Sequence, residues 1–109
     1  MSGSAPTREA TVETVLLLRI VASDLTDRAG REFAVTDAMT IGRDAACDIV
    51  LDDGAVSRQH ARIEVGADGP EIRDLNSTNG TFVNGEPIFA GLLEKGDVIA
   101  LGRITLDAV

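Results

Sequence analysis

Three short polar clusters break an otherwise apolar or alternating sequence, and each carries groups that can do chemistry. They are Gly42-Arg43, then Ser57-Arg58-Gln59-His60, then Asn76-Ser77-Thr78-Asn79-Gly80-Thr81. Ser57 and His60, with Asp74 further on, supply the residue types of a nucleophile, a base and an orienting acid. The Gly-x-Ser-x-Gly elbow that would expose such a serine is missing, and so is a Gly-x-x-x-x-Gly-Lys phosphate cradle. His60 is the only histidine, so zinc would have to draw on Cys47 and on carboxylates at unhelpful spacings. No metal, no cofactor and no catalytic residue is expected.

Binding chemistry suits the same residues better. Arg43 and Arg58 can each present a planar fork of N–H donors, which matches a carboxylate or phosphate. Ser57, Thr78 and Asn79 add neutral donors, and nearby glycines let backbone N–H groups approach a ligand. That set fits a small dianion such as a phosphate monoester. Charge-assisted hydrogen bonds contribute about 1.5–3 kcal/mol each. Three of them, less the cost of association, give roughly micromolar affinity. From Gly42 to Asn84 four arginines face eight carboxylates, a net of −4, so a pocket must supply the selectivity that long-range attraction does not. The competing reading is that each arginine pairs with a nearby carboxylate such as Asp44 or Asp53.

These clusters need a frame that gathers them. Val15 opens VLLLRIVA, a run of branched apolar residues that reads as a core strand. EFAVT (Glu32 to Thr36), MTIG (Met39 to Gly42), DIVL, HARIEV, EIRDL, TFVN, DVIAL and RITLDAV follow. Turn signals separate them: Asp24 to Gly30, Asp52-Asp53-Gly54, Gly66 to Pro70, two Asn-Gly pairs, Gly91 and Gly96-Asp97. Short runs at this spacing predict an all-β sandwich, whose loops collect at its ends. Ala90 to Lys95 is the one competing helical stretch. Residues 1–14 are small and polar without periodicity and read as a flexible tail, with one domain from 15 to 109.

Composition narrows the function classes. The chain has 109 residues and a net charge of −8, so its average surface repels nucleic acid and anionic membranes. It has no Trp or Tyr and three Phe, which leaves no stacking platform for single strands. Nine of the ten basic residues are Arg, the exception being Lys95, a bias that fits fork-like anion recognition. Cys47 has no partner cysteine and, inside ACDIVL, reads as a small buried hydrophobe. No leader or spanning apolar run is present in this sequence, so a cytoplasmic setting is expected.

Gly42-Arg43, Ser57-Arg58-Gln59-His60, Asp74-Leu75-Asn76-Ser77-Thr78-Asn79-Gly80-Thr81 and Asn84-Gly85, in this order and at these separations, resemble the forkhead-associated (FHA) domain. The resemblance runs from about Val15 to Val109, and the family is one of the modules that recognise phosphorylated motifs. It implies an FHA-like (SMAD/FHA-type) twisted β-sandwich of two mainly antiparallel sheets, with ligand loops at one end. It further implies that Arg43 clamps a phosphate, Ser57 donates to it and Arg58 assists. Thr78 would contact the phosphothreonine and its methyl group, and Asn79 the peptide main chain. Gly42, His60, Asn76 and Gly80 would support the loops, His60 from beneath. The implied partner is a phosphothreonine-containing protein downstream of a Ser/Thr kinase, bound by a monomer. Thr7, Thr11 and Thr14 in the tail are candidate phosphorylation sites beside such a domain. A structural sandwich that assembles through a sheet face is the alternative of a different class. Of the Asn-Gly pairs, Asn84-Gly85 reads as a hairpin turn between Thr81-Phe82-Val83 and Glu86-Pro87-Ile88, while Asn79-Gly80 belongs to the binding loop.

Overall fold

The computed structural model describes residues 15–22 and 30–109, and in it the branched and alternating runs are strands. In chain order these are β1 (Leu16–Ala22), β2 (Glu32–Val35), β3 (Met39–Gly42), β4 (Ile49–Val50), β5 (Ala61–Gly66), β6 (Gly69–Asp74), β7 (Thr81–Val83), β8 (Glu86–Ile88), β9 (Ala90–Leu92), β10 (Val98–Leu101) and β11 (Ile104–Ala108). They form two sheets, ordered β2-β1-β11-β10-β7-β8 and β4-β3-β5-β6-β9. Pairing is antiparallel except between β3 and β4. This is the two-sheet, all-β sandwich that the sequence predicts.

Period-two patterning decides which faces meet. Leu16, Leu18 and Ile20 of β1, Ile99 and Leu101 of β10, and Ile104 and Leu106 of β11 are buried. They join Ile41, Ala61, Ile63 and Ile72 of the other sheet in one apolar cluster. Each fully buried Leu or Ile contributes about 1.5–3 kcal/mol. Cys47 is buried and forms no disulfide, consistent with its apolar context. The predicted turn at Asp24 to Gly30 lies, apart from Gly30, outside the described residues, as do Thr7, Thr11 and Thr14.

Two local readings are corrected. Ala90 to Leu92 is strand β9, paired with β6 from Glu71↔Leu92 to Arg73↔Ala90. Six residues cannot meet the cost of helix nucleation unaided, and the open edge of β6 offers them ladder bonds instead. Gly69 and Pro70 belong to β6 rather than to a turn, because the β5–β6 hairpin closes tightly with Gly66 opposite Gly69. Gly69 reaches this with a φ of 113°, and the Pro70 carbonyl still accepts from the Leu93 N–H at 2.8 Å.

β3 and β6 end, and β5 and β7 begin, at the same pole of the sandwich. The connections 43–48, 51–60 and 75–80 therefore converge there, which is how three clusters distant in sequence become neighbours. The Asn84-Gly85 turn lies at the other pole. Both residues have positive φ, 54° and 86°, and Val83 pairs with Glu86, so this is a two-residue hairpin turn of the primed kind. Asn84 also latches the hairpin to β10: its Oδ1 accepts from the Val98 N–H at 2.9 Å and its Nδ2 donates to Asp97 at 3.0 Å. Asn84→Ala is therefore expected to lower folding stability in urea by about 1–3 kcal/mol. Asn84→Gly should recover only the backbone part of that loss. Unchanged stability in the alanine variant would mean that the latch contributes nothing.

Candidate functional site

The first part of the site is built on a missing Cβ. A Cβ on Gly42 would lie 2.1 Å from the Arg58 carbonyl oxygen and 3.0 Å from Cys47 Sγ. Glycine alone lets the end of β3 press against the 57–58 backbone, where the Arg43 N–H donates to Ser57 O at 3.0 Å and the Asp44 N–H to Arg58 O at 3.1 Å. Arg43 and Arg58 thereby emerge side by side and, with Asp44, line an open recess of about 270 Å³. Arg43 Nε donates to Val56 O at 3.0 Å, which fixes the inner edge of the guanidinium and turns its terminal amino groups outward. Asp44 and Asp53 accept instead from the N–H groups of Ala46 and Ala55. Among the described residues neither arginine forms an ion pair, so the competing intramolecular reading has no support in the structure.

The second part is a set of ties between loops. His60 is fully buried. Its Nδ1 accepts from the Ser57 N–H at 3.1 Å and its Nε2 faces the Gly80 carbonyl at 2.8 Å. An N–H on one side and a C=O on the other assign the neutral tautomer, with the proton on Nε2. Its backbone is engaged as well, donating to Ile41 O and accepting from Leu75 N–H. Ser57 Oγ accepts from the Thr78 N–H at 3.0 Å, and Asn79 Nδ2 donates to Ala55 O at 2.7 Å. With Oγ accepting from Thr78, the Ser57 hydroxyl keeps its own proton to donate to a ligand. One Asn79 N–H and its carbonyl oxygen likewise remain for a peptide backbone. With both imidazole nitrogens held by backbone groups, Ser57, His60 and Asp74 do not assemble a nucleophile–base–acid relay.

The third part is the 75–80 loop, organised by Asp74. Its Oδ1 accepts from the Ser77 and Thr81 hydroxyls, and its Oδ2 from the Ser77 N–H at 3.1 Å. Ser77 Oγ in turn accepts from the Gly80 N–H at 2.9 Å. Asn76 and Gly80 take positive φ, 58° and 85°, and so reverse the chain on either side of exposed Thr78 and Asn79. Burial pushes the Asp74 carboxyl upward, but hydrogen bonds from the Ser77 hydroxyl, the Thr81 hydroxyl and the Ser77 N–H outweigh it. The net shift is below the ordinary value of 3.8.

The structure brings Arg43, Ser57, Arg58, Thr78 and Asn79 together at one pole, and it adds two supports that the sequence reading lacks. Asp74, which the sequence offers as an orienting acid, holds a turn instead; the Asp-x-x-Ser spacing is its signal. Gly102, between β10 and β11, has a φ of 60° and backs onto the Ala55 carbonyl, where a Cβ would come within 2.7 Å. Ala55 is the residue that holds Asn79, so this distant turn buttresses the recognition loop. No local pattern announces that contact.

The chain is similar to known proteins. The family model for the FHA domain matches residues 39–102. The ABC transporter ATP-binding/permease protein Rv1747 of Mycobacterium tuberculosis is 48% identical over 69 residues, 63% of this chain and 8% of the transporter. The oxoglutarate dehydrogenase inhibitor of Corynebacterium jeikeium is 42% identical over 79 residues, 72% of this chain and 55% of the inhibitor. The glycogen accumulation regulator GarA of M. tuberculosis is 39% identical over 79 residues, 49% of its length. The chain thus spans about half of these regulators and a small part of the transporter. Among solved structures, the FhaA FHA domain complexed with the intracellular domain of Rv3910 superposes with a TM-score of 0.76 at 35% identity, covering 86% of this chain and 99% of that one.

Two substitutions test the loop ties. His60→Ala empties a buried site and leaves the part-buried Ser57 N–H and Gly80 C=O without their partner, and should cost about 2–4 kcal/mol. It should also speed amide exchange at Ser57 and Thr78, and unchanged exchange there would contradict the tie. Asp74→Asn should cost about 1 kcal/mol at neutral pH, given partial exposure. Because the folded carboxyl titrates low, its contribution is complete above pH 3.8 and is lost as pH falls below that value. The stability gap between wild type and Asp74→Asn should therefore close in acid. A gap that persisted below the folded titration would contradict this origin.

Proposed function

The chain belongs to the FHA-domain family, and from that premise we propose that it is a non-catalytic module that binds phosphothreonine in partner proteins. The observation that carries the reading is the meeting of Arg43 and Arg58 with Asp44 at one open recess, next to Ser57, with no acid in an ion pair with either arginine among the described residues. In this reading the terminal amino groups of Arg43 clamp the phosphate, Ser57 donates to it and Arg58 closes the flank. Thr78 contacts the phosphoresidue and its methyl group, and the free amide edge of Asn79 holds the adjacent main chain. The surrounding charge is negative, so the affinity comes from short charge-assisted bonds rather than from steering. The binding unit is the sandwich from residue 15 onward, a monomer acting in the cytoplasm on targets of a Ser/Thr kinase.

Thr7, Thr11 and Thr14 are proposed as phosphorylation sites of the chain itself, and topology limits what each can do. Val15 bonds to Val35 and Val109 to Leu17, which places the start of β1 at the pole away from the binding loops. The five residues of β11 alone span roughly 17 Å between the poles. Thr11 and Thr14 lie within four residues of Val15, about 14 Å of extended chain, so phosphorylated there they are better suited to a second copy's recess than to their own.

Calorimetric titration with phosphothreonine, phosphoserine and unmodified versions of one peptide tests the function. Roughly micromolar affinity is expected for the phosphothreonine form, weaker binding for phosphoserine and none for the unmodified peptide. Arg43→Ala should weaken phosphothreonine binding at least about thirtyfold while changing stability by no more than about 1 kcal/mol. Equal affinity for the unmodified peptide would overturn the proposal.

A further inference from the structure

Three polar side chains are buried among the described residues, those of Asp53, His60 and Thr81. His60 ties two loops and Thr81 donates to Asp74, but the binding reading gives Asp53 no part. Asp53 is only 9% exposed, and among the described residues no basic side chain forms an ion pair with it. A carboxylate loses hydration there, so its hydrogen bonds must offset that cost.

Those bonds go to one turn. The Ala55 N–H donates to Asp53 Oδ1 at 2.8 Å, and the Val56 N–H donates to the Asp53 carbonyl at 2.9 Å. The first is the bond of an Asx turn and the second that of a β-turn over residues 53–56. Val56 anchors the end of the turn in the apolar core, and Gly102 backs onto the Ala55 carbonyl from the other side. The carbonyls of the same two residues meet the side chains of the binding pole. Ala55 O accepts from Asn79 Nδ2 at 2.7 Å, and Val56 O accepts from Arg43 Nε at 3.0 Å. Arg43 and Asn79 come from different connections, and this turn is their common support. Released from its carbonyl, either side chain would regain rotamer freedom that binding must then remove.

We propose that Asp53 is a positioning residue for phosphopeptide binding: it sets the Ala55 and Val56 carbonyls and through them couples the phosphate grip of Arg43 to the main-chain grip of Asn79. The inference rests on the phosphothreonine reading and adds to it a residue that does not line the recess. Geometry rather than charge is its means. Asparagine at position 53 keeps an oxygen that can accept from the Ala55 N–H and removes only the charge. A carboxylate acting through its charge would oppose a phosphate dianion, so that Asp53→Asn and Asp53→Ala would both tighten binding.

The test titrates one phosphothreonine peptide, by calorimetry, into wild type, Asp53→Asn, Asp53→Ala, Asn79→Ala and the double variant Asp53→Ala/Asn79→Ala, each well below its melting temperature. Asp53→Ala is expected to weaken binding roughly tenfold, and Asp53→Asn to stay within about twofold of wild type. In the double variant the two losses should overlap, leaving a total at least about threefold smaller than their product. Wild-type affinity in Asp53→Ala, equal effects of the two Asp53 substitutions, or losses that multiply in full would each overturn the positioning role. Should Asp53→Ala not fold, Asp53→Ser, whose hydroxyl makes the same turn more weakly, takes its place with an expected loss of about threefold. Amide exchange in the free wild-type chain checks the turn itself. The Ala55 N–H should exchange at least about tenfold more slowly than that of exposed Gly54, and equal rates would contradict the proposal. A wild-type chain that bound the unmodified peptide equally well would instead overturn the phosphothreonine reading and leave the exchange result standing, so the two failures are distinguishable.

Discussion

The imidazole of His60, shut off from solvent and bonded through each ring nitrogen to a different loop, is the contact on which the binding pole depends. Ser57 and Gly80 belong to connections that no strand ladder joins directly, and a neutral ring between them replaces a ladder. The geometry is demanding, because one nitrogen must accept and the other must donate at opposite edges of the ring. Asn or Gln offers the same pair of functions but not the same rigid span. With the ring in place, the Ser57–Thr78 and Asn79–Ala55 bonds follow at no further cost in ordering the chain. A site held in this way meets its ligand with its donors already placed, which is where a small domain gains affinity.

Close backbone approach is the second constraint, and it explains why glycine appears where it does. Gly42 allows β3 to lie against Arg58, and Gly102 allows the last hairpin to lie against Ala55. Both contacts act on the 51–60 connection, from opposite sides, and the His60 ring holds its end. The connection that presents Ser57 and Arg58 is thus a loop in name but has little freedom to move. Its neighbour at 75–80 reaches the same condition by a different route, with a carboxylate gathering the hydroxyls and N–H groups of its own turn. Two kinds of local chemistry produce one rigid surface.

Much of this was legible in the sequence, and the gaps have physical causes. Period-two burial in LLLRI and in DVIAL gave the sheets, because alternation survives whatever the neighbours are. The two Asn-Gly pairs were separable, since only Asn84-Gly85 has alternating residues on both sides; the structure gives both of its residues positive φ, and in the other pair only Gly80. Ala90 to Leu92 was ambiguous because three residues carry no period, and the free edge of β6 decided the matter. The role of Gly102 was not legible at all, because it depends on a contact between segments far apart in sequence, nor was the exposure of Phe89, an aromatic ring that composition would place inside.

The central claim is that Arg43, Ser57 and Arg58 receive a phosphate on loops already tied by His60. The structure of the chain with a short phosphothreonine peptide bound tests it most directly. The account predicts phosphate oxygens within hydrogen-bond distance of the Arg43 guanidinium and the Ser57 hydroxyl, with the His60 bonds to Ser57 and Gly80 unchanged from the free chain. A phosphate held elsewhere, or loops that rebuild around the ligand with His60 releasing either partner, would contradict it.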